Sequence, residues 1–498
     1  MENTRKKSGF ASGIGFVLAA AGSAVGLGNL WGFPFKTAEN GGAAFVILYI
    51  ACVLFIGFLT MVCEIFLGRR SQANPITSFK VINKNIGWFG LIAIIVPLII
   101  TFYYSVLGGY TVKFTFNSFW GNAGNLTNFA GSAWQVILFT AIFIIFALVV
   151  VMAGVKGGIE KASKVLMPAL FILLVLVVIF VLFLGKGVSD GLKFYLIPDF
   201  TKITWSSVLA AMGQAFYSLS LGMGAMIVYG SYTGKEINLL KSASMICIFD
   251  TFVALLAGMA IFPAVFHFAS VEGIAPESLK LEGLMLMFET LPKVFESIGP
   301  VGHFIEFFFF AMVTIAAVTS VISIMEVSTQ FIIQKFKIKR KVATLAIAIL
   351  TFALSIPVGI SLGDMLNGIN ALQIFGMDYL SFLDTVTNTI LMPICALFSC
   401  VAVGWFIGPK KSSLELNADG LNTKVATVFS YAIKYLVPLL IAVIEVFGLI
   451  GLIWPNGSFD VNGLGVALTA FVIIAILIIV YFIWLKNSST GTNFDEVD

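Results

Sequence analysis

Apolar residues fill this chain in long blocks separated by short polar connections, and each block approaches the roughly 20 residues that an α-helix needs to cross a bilayer. The blocks fall at about 13–38, 43–68, 88–118, 134–153, 163–185, 206–230, 241–268, 300–334, 342–361, 376–407, 430–453 and 463–485. They predict an all-α polytopic membrane protein with twelve transmembrane helices and both ends on one side.

Two blocks depart from the pattern. In the first, the stretch from Gly22 to Pro34 sets glycines at 22, 26, 28 and 32, a density that weakens a helix at membrane depth. Unwound backbone in hydrocarbon leaves N–H and C=O groups unpaired at several kcal/mol each, so it persists only where protein, an ion or a polar ligand satisfies them. The sixth block repeats the interruption between Gly213 and Gly224. Five spans is an odd number, so two halves built this way lie in opposite orientation. The pattern predicts a single transporter domain over 1–498, with spans 1–5 (13–185) and 6–10 (206–407) as inverted repeats. Spans 1 and 6 are interrupted at the midplane, and two additional spans follow at 430–485. Glycines can also serve close helix packing, but that account does not explain why both interruptions occupy corresponding positions.

Composition agrees with the block pattern. Hydrophobic residues make up 59% of the 498 residues and charged residues 11%, against roughly 25% charged in soluble domains. All but seven of the 29 Lys and Arg fall on the ends and loops that share a side with the termini. The positive-inside rule therefore places both termini in the cytoplasm of a plasma-membrane, multi-pass protein. The net charge of +4 is this bias and not a nucleic-acid footprint. No cleavable signal is evident, because the first apolar run is too long for one and further spans follow it. The five cysteines, Cys52, Cys63, Cys247, Cys395 and Cys400, show no paired spacing and read as apolar filler. No phosphate loop, metal-binding histidine spacing or nucleophile elbow is present, which argues against an enzyme and against ATP as the driving force. His267 and His303 read as interfacial residues, and 269–299 as a helix packed over the outer mouth.

Ionisable residues within the blocks are costly, at about 2.5–3.5 kcal/mol or more on insertion scales. Glu64, Asp250, Glu306, Glu326, Asp384 and Glu445 stand there. Asp250 has no basic residue in its run, so a bound cation is a natural partner. Glu306 and Glu445 suggest no role beyond snorkelling or a helix–helix hydrogen bond. In span 8, Thr319-Ser320 follows Ala316-Ala317, and such hydroxyls suit a hard cation or back-bond to their own helix.

The sequence Ala24-Val25-Gly26-Leu27-Gly28-Asn29-Leu30-Trp31 with Phe33-Pro34, then Glu39-Asn40-Gly41-Gly42, Tyr103-Tyr104, Ser218-Leu219-Ser220-Leu221-Gly222 and Thr319-Ser320 resembles the neurotransmitter:sodium symporter family, its bacterial amino-acid transporters in particular. The resemblance covers nearly the whole chain. It implies two sodium ions. The first would take the Ala24 carbonyl, the side chains of Asn29, Ser218 and Asp250, and the carboxylate of the substrate itself. The second would take the carbonyls of Gly22, Val25 and Ala316 with the hydroxyls of Thr319 and Ser320.

The resemblance also implies an amino-acid substrate. Free N–H groups around Gly26, Leu27 and Gly28 favour an anion, and Tyr104 can donate to the same carboxylate. Amine transporters of the family carry Asp where this chain has Gly26. The pocket would be completed by Ser23, Ile100 and Tyr104, by Tyr217, Ser220 and Met223, and by Ser320 and Ile324. None of these is charged, so apolar or aromatic amino acids are the expected guests.

Three departures stand out. Gly32 occupies the place of a family Arg paired with the acid that is here Asp384, which leaves the outer gate without its cation. On the inner side, Lys7, Phe10 and Gln334 replace Arg, Trp and Asp, while Tyr232 and Glu326 match; a Lys7 to Glu326 contact could substitute. Asp250 stands where chloride-dependent members have Asn, so no chloride requirement is expected. The reading is sodium-coupled symport of a neutral amino acid by alternating access. The alternatives are a sodium symporter of another small carboxylate-bearing solute, a non-transporting amino-acid receptor, or a channel. The oligomeric state is not legible.

Overall fold

An apolar block in hydrocarbon must bond every backbone N–H within its own segment, and the α-helix alone does that for a single strand of chain. The computed structural model describes residues 9–121, 125–234, 236–276, 283–369 and 372–488. They are helical throughout, save for loops and one antiparallel pair of two-residue strands, Gln373–Ile374 with Met377–Asp378.

Among the described residues, ten helices are long and apolar enough to cross a membrane, from Ala43–Ser71 to Val461–Lys486. An eleventh span forms if the helices Gly13–Ala24 and Gly28–Glu39, bent by 49° at their junction, are taken together. The sixth apolar block divides into Trp205–Ser218 and Ala225–Ser231, at 14 and 7 residues each too short to cross. Three left-handed residues, Ser220 (φ 53°), Gly222 (φ 75°) and Gly224 (φ 69°), end the first piece and turn the chain before the second. The expectation of two interrupted blocks thus holds at both places.

The long helices Trp88–Phe119 and Pro300–Phe336 pack along each other and form the most enclosed part of the molecule. Helix Gly13–Ala24 lies against Pro300–Phe336, Leu239–Glu272 and Glu160–Leu182. Both breaks therefore open into the centre of the bundle. The last two helices, Val437–Ile453 and Val461–Ser488, turn most of their apolar surface outward. All five cysteines are unpaired.

The segment expected over the outer mouth carries short helical pieces at Gly283–Met285 and Leu291–Ser297. Trp31 donates its indole N–H to the Gly283 carbonyl at 2.5 Å, which ties this cover to the first broken span. Phe288 stacks on Phe310 with centroids 5.9 Å apart. Residues 277–282 lie outside the described residues.

Candidate ion and substrate site

The first break is short, and the groups it frees are caught by side chains from elsewhere. Val25 still donates to the Ala21 carbonyl at 2.7 Å, after which the ladder fails. Gly26 N–H donates instead to Asn29 Oδ1 (3.1 Å), and Leu27 N–H donates to the Tyr104 hydroxyl oxygen (3.2 Å). Gln214, from the second broken block, donates through Nε2 to the Gly28 carbonyl at 2.7 Å. The first break is thus satisfied in part from the second broken block. There is no room for a side chain at position 26, because a Cβ would lie 2.5 Å from Ser320 Oγ and 2.8 Å from the Tyr104 hydroxyl.

A first nest of oxygens gathers round Asp250, which is wholly buried. Ser218 donates to its Oδ2 at 2.6 Å, Asn29 donates through Nδ2 to its Oδ1 at 2.8 Å, and Tyr49 donates to Oδ2 at 3.2 Å. Tyr49 and Ser218 hydroxyls are also 3.0 Å apart. Asn29, Ser218 and Asp250 therefore meet as expected, over sequence separations of 189 and 221 residues. Tyr49 is a fourth member that sequence reading missed, since nothing in its apolar run marks it. The Asn29 amide turns its nitrogen, not its oxygen, toward the carboxylate. A half-turn of the amide plane exchanges the two atoms, so the residue can present an oxygen to a cation. Hard oxygen donors with a single carboxylate suit a monovalent cation such as sodium. No group of three or more His, Cys, Asp or Glu that could hold a metal occurs among the described residues.

A second nest lies where the first broken span crosses helix Pro300–Phe336. Ser320 Oγ reaches the carbonyls of Ser23 and Val25, both at 3.2 Å, and stands 3.5 Å from that of Gly22. Thr319 back-bonds to its own helix, to Ala316 O at 3.0 Å and Ile315 O at 3.1 Å. Of the two uses foreseen for this hydroxyl pair, Thr319 shows the back-bond, while Ser320 turns its hydroxyl to the carbonyls of the first broken span. Gly22 is close enough that a Cβ there would sit 3.3 Å from Thr319 Cβ.

Residues expected around a substrate converge on the same place. Ser220 donates to the Ser23 carbonyl at 2.8 Å, and Ser23 donates to Ser323 at 2.7 Å. The Tyr217 ring lies beside Gly28, where a Cβ would meet it at 2.9 Å. Ile100, Met223 and Ile324 are buried on the helices and the turn that face these groups. Glu64, wholly buried, accepts from Gly222 N–H at 2.8 Å and so pins the second break from the outside.

The profile of the "Sodium:neurotransmitter symporter family" matches residues 7–128 and 123–487 of this chain. The chain belongs to that family. A Bacillus subtilis relative, an uncharacterised sodium-dependent transporter called YhdH, is 36% identical over 89% of this chain and 98% of its own. A Haemophilus influenzae sodium-dependent transporter, also uncharacterised, is 34% identical over 90% of this chain and 99% of its own. The crystal structure of MhsT in complex with L-phenylalanine superposes with a TM-score of 0.80 at 32% identity, covering 89% of this chain and 100% of that one. This symporter-family chain is therefore a multi-pass, sodium-dependent membrane transporter of a small molecule, not an enzyme.

Glu326 is held by a pairing that the sequence reading did not find. Arg340 grips Glu326 through two hydrogen bonds, Nη1 to Oε2 at 2.6 Å and Nη2 to Oε1 at 2.8 Å, and Tyr232 donates to Oε1 at 2.6 Å. Such two-pronged contacts are among the stronger polar interactions. Lys7, the cation expected for Glu326, lies outside the described residues, and Arg340 fills that role in the structure. Arg340 is the one arginine in a run of lysines, which was the available signal. Phe10 joins the same group, its N–H donating to the Tyr232 carbonyl at 3.2 Å and its ring edge-on to Tyr229. Gln334 instead accepts from Asn74, from the backbone N–H at 2.9 Å and from the side chain at 2.7 Å.

Asp384 accepts a short hydrogen bond from Asn388, which also donates to the Tyr103 hydroxyl at 3.1 Å. The carboxyl oxygens of Glu306 and Glu445 have no hydrogen-bond partner among the described residues.

Proposed function

We propose that this transporter couples sodium to the uptake of a neutral, apolar or aromatic amino acid by alternating access. The observation that carries the reading is the contact between the Asp250 nest and the first break, where Gly26 and Leu27 lend their N–H groups to movable side chains. An α-carboxylate arriving there can take over the Leu27 N–H and the Tyr104 hydroxyl, and it adds an anionic oxygen to the ligands of the first sodium. Ion and substrate then bind as one unit. A second sodium, at the Gly22, Val25, Ala316, Thr319 and Ser320 oxygens, would hold the first broken span to helix Pro300–Phe336 until release lets them part.

The pocket side chains are uncharged, and MhsT, at 32% identity, has been crystallised with L-phenylalanine. Both support an apolar or aromatic guest. The breaks five blocks apart support twelve spans with two inverted halves, and the basic loops support cytoplasmic termini in the plasma membrane. With Asp250 as the counter-charge, chloride is not required, and a carboxylate left by its sodium is free to carry a proton on the return.

Proteoliposomes test the reading directly. Each labelled amino acid is offered with an inward sodium gradient, in chloride or gluconate, and again in potassium. Accumulation of aliphatic or aromatic amino acids in sodium, alike in both anions, is the expected result. Equal uptake in potassium, or a preference for acidic, basic or decarboxylated solutes, would overturn it.

A further inference from the structure

Helix Pro300–Phe336 carries one more hydroxyl on the face it turns to the first broken span. Ser323 follows Ser320 by three residues and Ala316 by seven, so it continues the row of Ala316, Thr319 and Ser320 one turn further along. Ser23, in the last turn of helix Gly13–Ala24, is buried against it. The Ser23 hydroxyl donates to Ser323 Oγ at 2.7 Å, and Ser323 donates its own O–H to the Ser320 carbonyl at 2.6 Å. In return, Ser320 Oγ reaches the Ser23 carbonyl at 3.2 Å, which also accepts from Ser220 at 2.8 Å. Three serines thus join the two helices in a closed circuit, beside the Gly22 and Val25 carbonyls of the second nest.

The members of that circuit are not equivalent. A hydroxyl has one proton and two lone pairs, and Ser320 shares its proton among the carbonyls of Ser23, Val25 and Gly22. Once its oxygen faces a cation, that proton must point away and the tie it makes is given up. Ser323 stands outside the ligand set, so its bond to Ser23 survives ion binding. With the Ser23 hydroxyl held, the Gly22 carbonyl one residue before it and the Val25 carbonyl two residues after it are fixed relative to Thr319 and Ser320. We propose that Ser323 is a positioning residue for the second sodium. It sets the spacing between the broken span and helix Pro300–Phe336, so that the ion enters a site built beforehand. Without it, Ser23 keeps a buried donor with no partner, and the ion must order the backbone itself.

The inference rests on the sodium reading of that nest, and equilibrium binding of radiolabelled sodium, with no amino acid present, separates the two. Purified full-length protein is titrated in gluconate on two backgrounds: Asp250→Asn, which leaves the second nest, and Thr319→Val with Ser320→Ala, which leaves the first. On Asp250→Asn, adding Ser323→Ala should weaken sodium binding about tenfold, the low end for groups that orient metal ligands. Ser23→Ala should do the same, because it removes the same bond from the other side. Ser323→Thr, which keeps the hydroxyl, should bind as its background does. On the second background Ser323→Ala should leave sodium binding unchanged, a result that a general loosening of the fold would not allow. Equal weakening on both backgrounds, no weakening on Asp250→Asn, or a Ser323→Thr as weak as Ser323→Ala would overturn the positioning role alone. A wild type, or an Asp250→Asn protein, that binds no sodium would overturn the sodium reading of the second nest and this role with it.

Discussion

The two oxygen nests share the first broken span but differ in charge. One is centred on Asp250, a full negative charge held by Ser218, Asn29 and Tyr49. The other is assembled from backbone carbonyls and two hydroxyls and carries no formal charge. A desolvated cation in the first is neutralised by the protein, while in the second it is held by dipoles alone. On the proposed reading of two sodium ions, the difference teaches that the charged nest can answer for counter-ion balance while the neutral one is free to serve as the moving part.

Removing the charge tests the comparison most severely. Asp250→Asn should abolish sodium-driven accumulation in gluconate and regain part of it in chloride, with loss of any accompanying proton movement. Labelled uptake beside an intravesicular pH dye reads both, and an Asp250→Asn protein with wild-type anion and pH behaviour would remove the distinction between the nests. Thr319→Val with Ser320→Ala should also abolish accumulation, but chloride should give no rescue, because the missing ligands there are neutral. Rescue of both variants by chloride would mean that the two sites are not electrostatically distinct.

A third change brings an unwanted charge between the nests. Gly26→Asp sets a carboxylate against Ser320 and Tyr104, where even a Cβ is crowded, and against the carboxylate of an incoming amino acid. Two like charges a few Å apart oppose each other strongly, so amino-acid affinity should fall by about a hundredfold or more in equilibrium binding, and the wild type should bind simple amines poorly; tight binding of a simple amine, undiminished in Gly26→Asp, would contradict this. The mildest change is Tyr49→Phe, which removes one of three hydrogen bonds to Asp250 and leaves its charge. A bond to a charged group contributes about 1.5–3 kcal/mol, so sodium affinity should shift by about tenfold, measured as the sodium dependence of uptake. No shift would show that Tyr49 only packs in the first nest.

Much of this was legible from the chain because the breaks are written in glycine and the ion-binding residues are polar in apolar surroundings. Asn29, Ser218 and Asp250 are conspicuous for that reason, and they do meet. Tyr49, Arg340 and Gln214 were not seen in these roles. A tyrosine in an apolar helix looks the same whether or not it crosses 201 residues of sequence to reach its partner, and a lone arginine among lysines marks itself without naming a partner 14 residues away. Glu64 lay between these cases: its depth was evident, but its service to the Gly222 N–H depends on a turn that only the folded second break creates. The sixth span was placed correctly as a block and as an interrupted one, yet its division into two helices follows from left-handed residues whose φ values composition alone does not fix.

That second break also governs how freely the chain can vary. Gly222 has its left-handed φ and stands against the Met392 carbonyl, 2.1 Å from where a Cβ would be; Gly224 stands likewise 2.5 Å from the Ala93 carbonyl. Gly213, nine residues before the first of them, faces nothing within 4 Å. In a library of all single substitutions, selected for growth on the transported solute, the three glycines would thus separate: position 213 would drift through many residues, while 222 and 224 would return as glycine. The mutational neighbourhood of this transporter is narrowest where the backbone, not a side chain, is pressed against its neighbours.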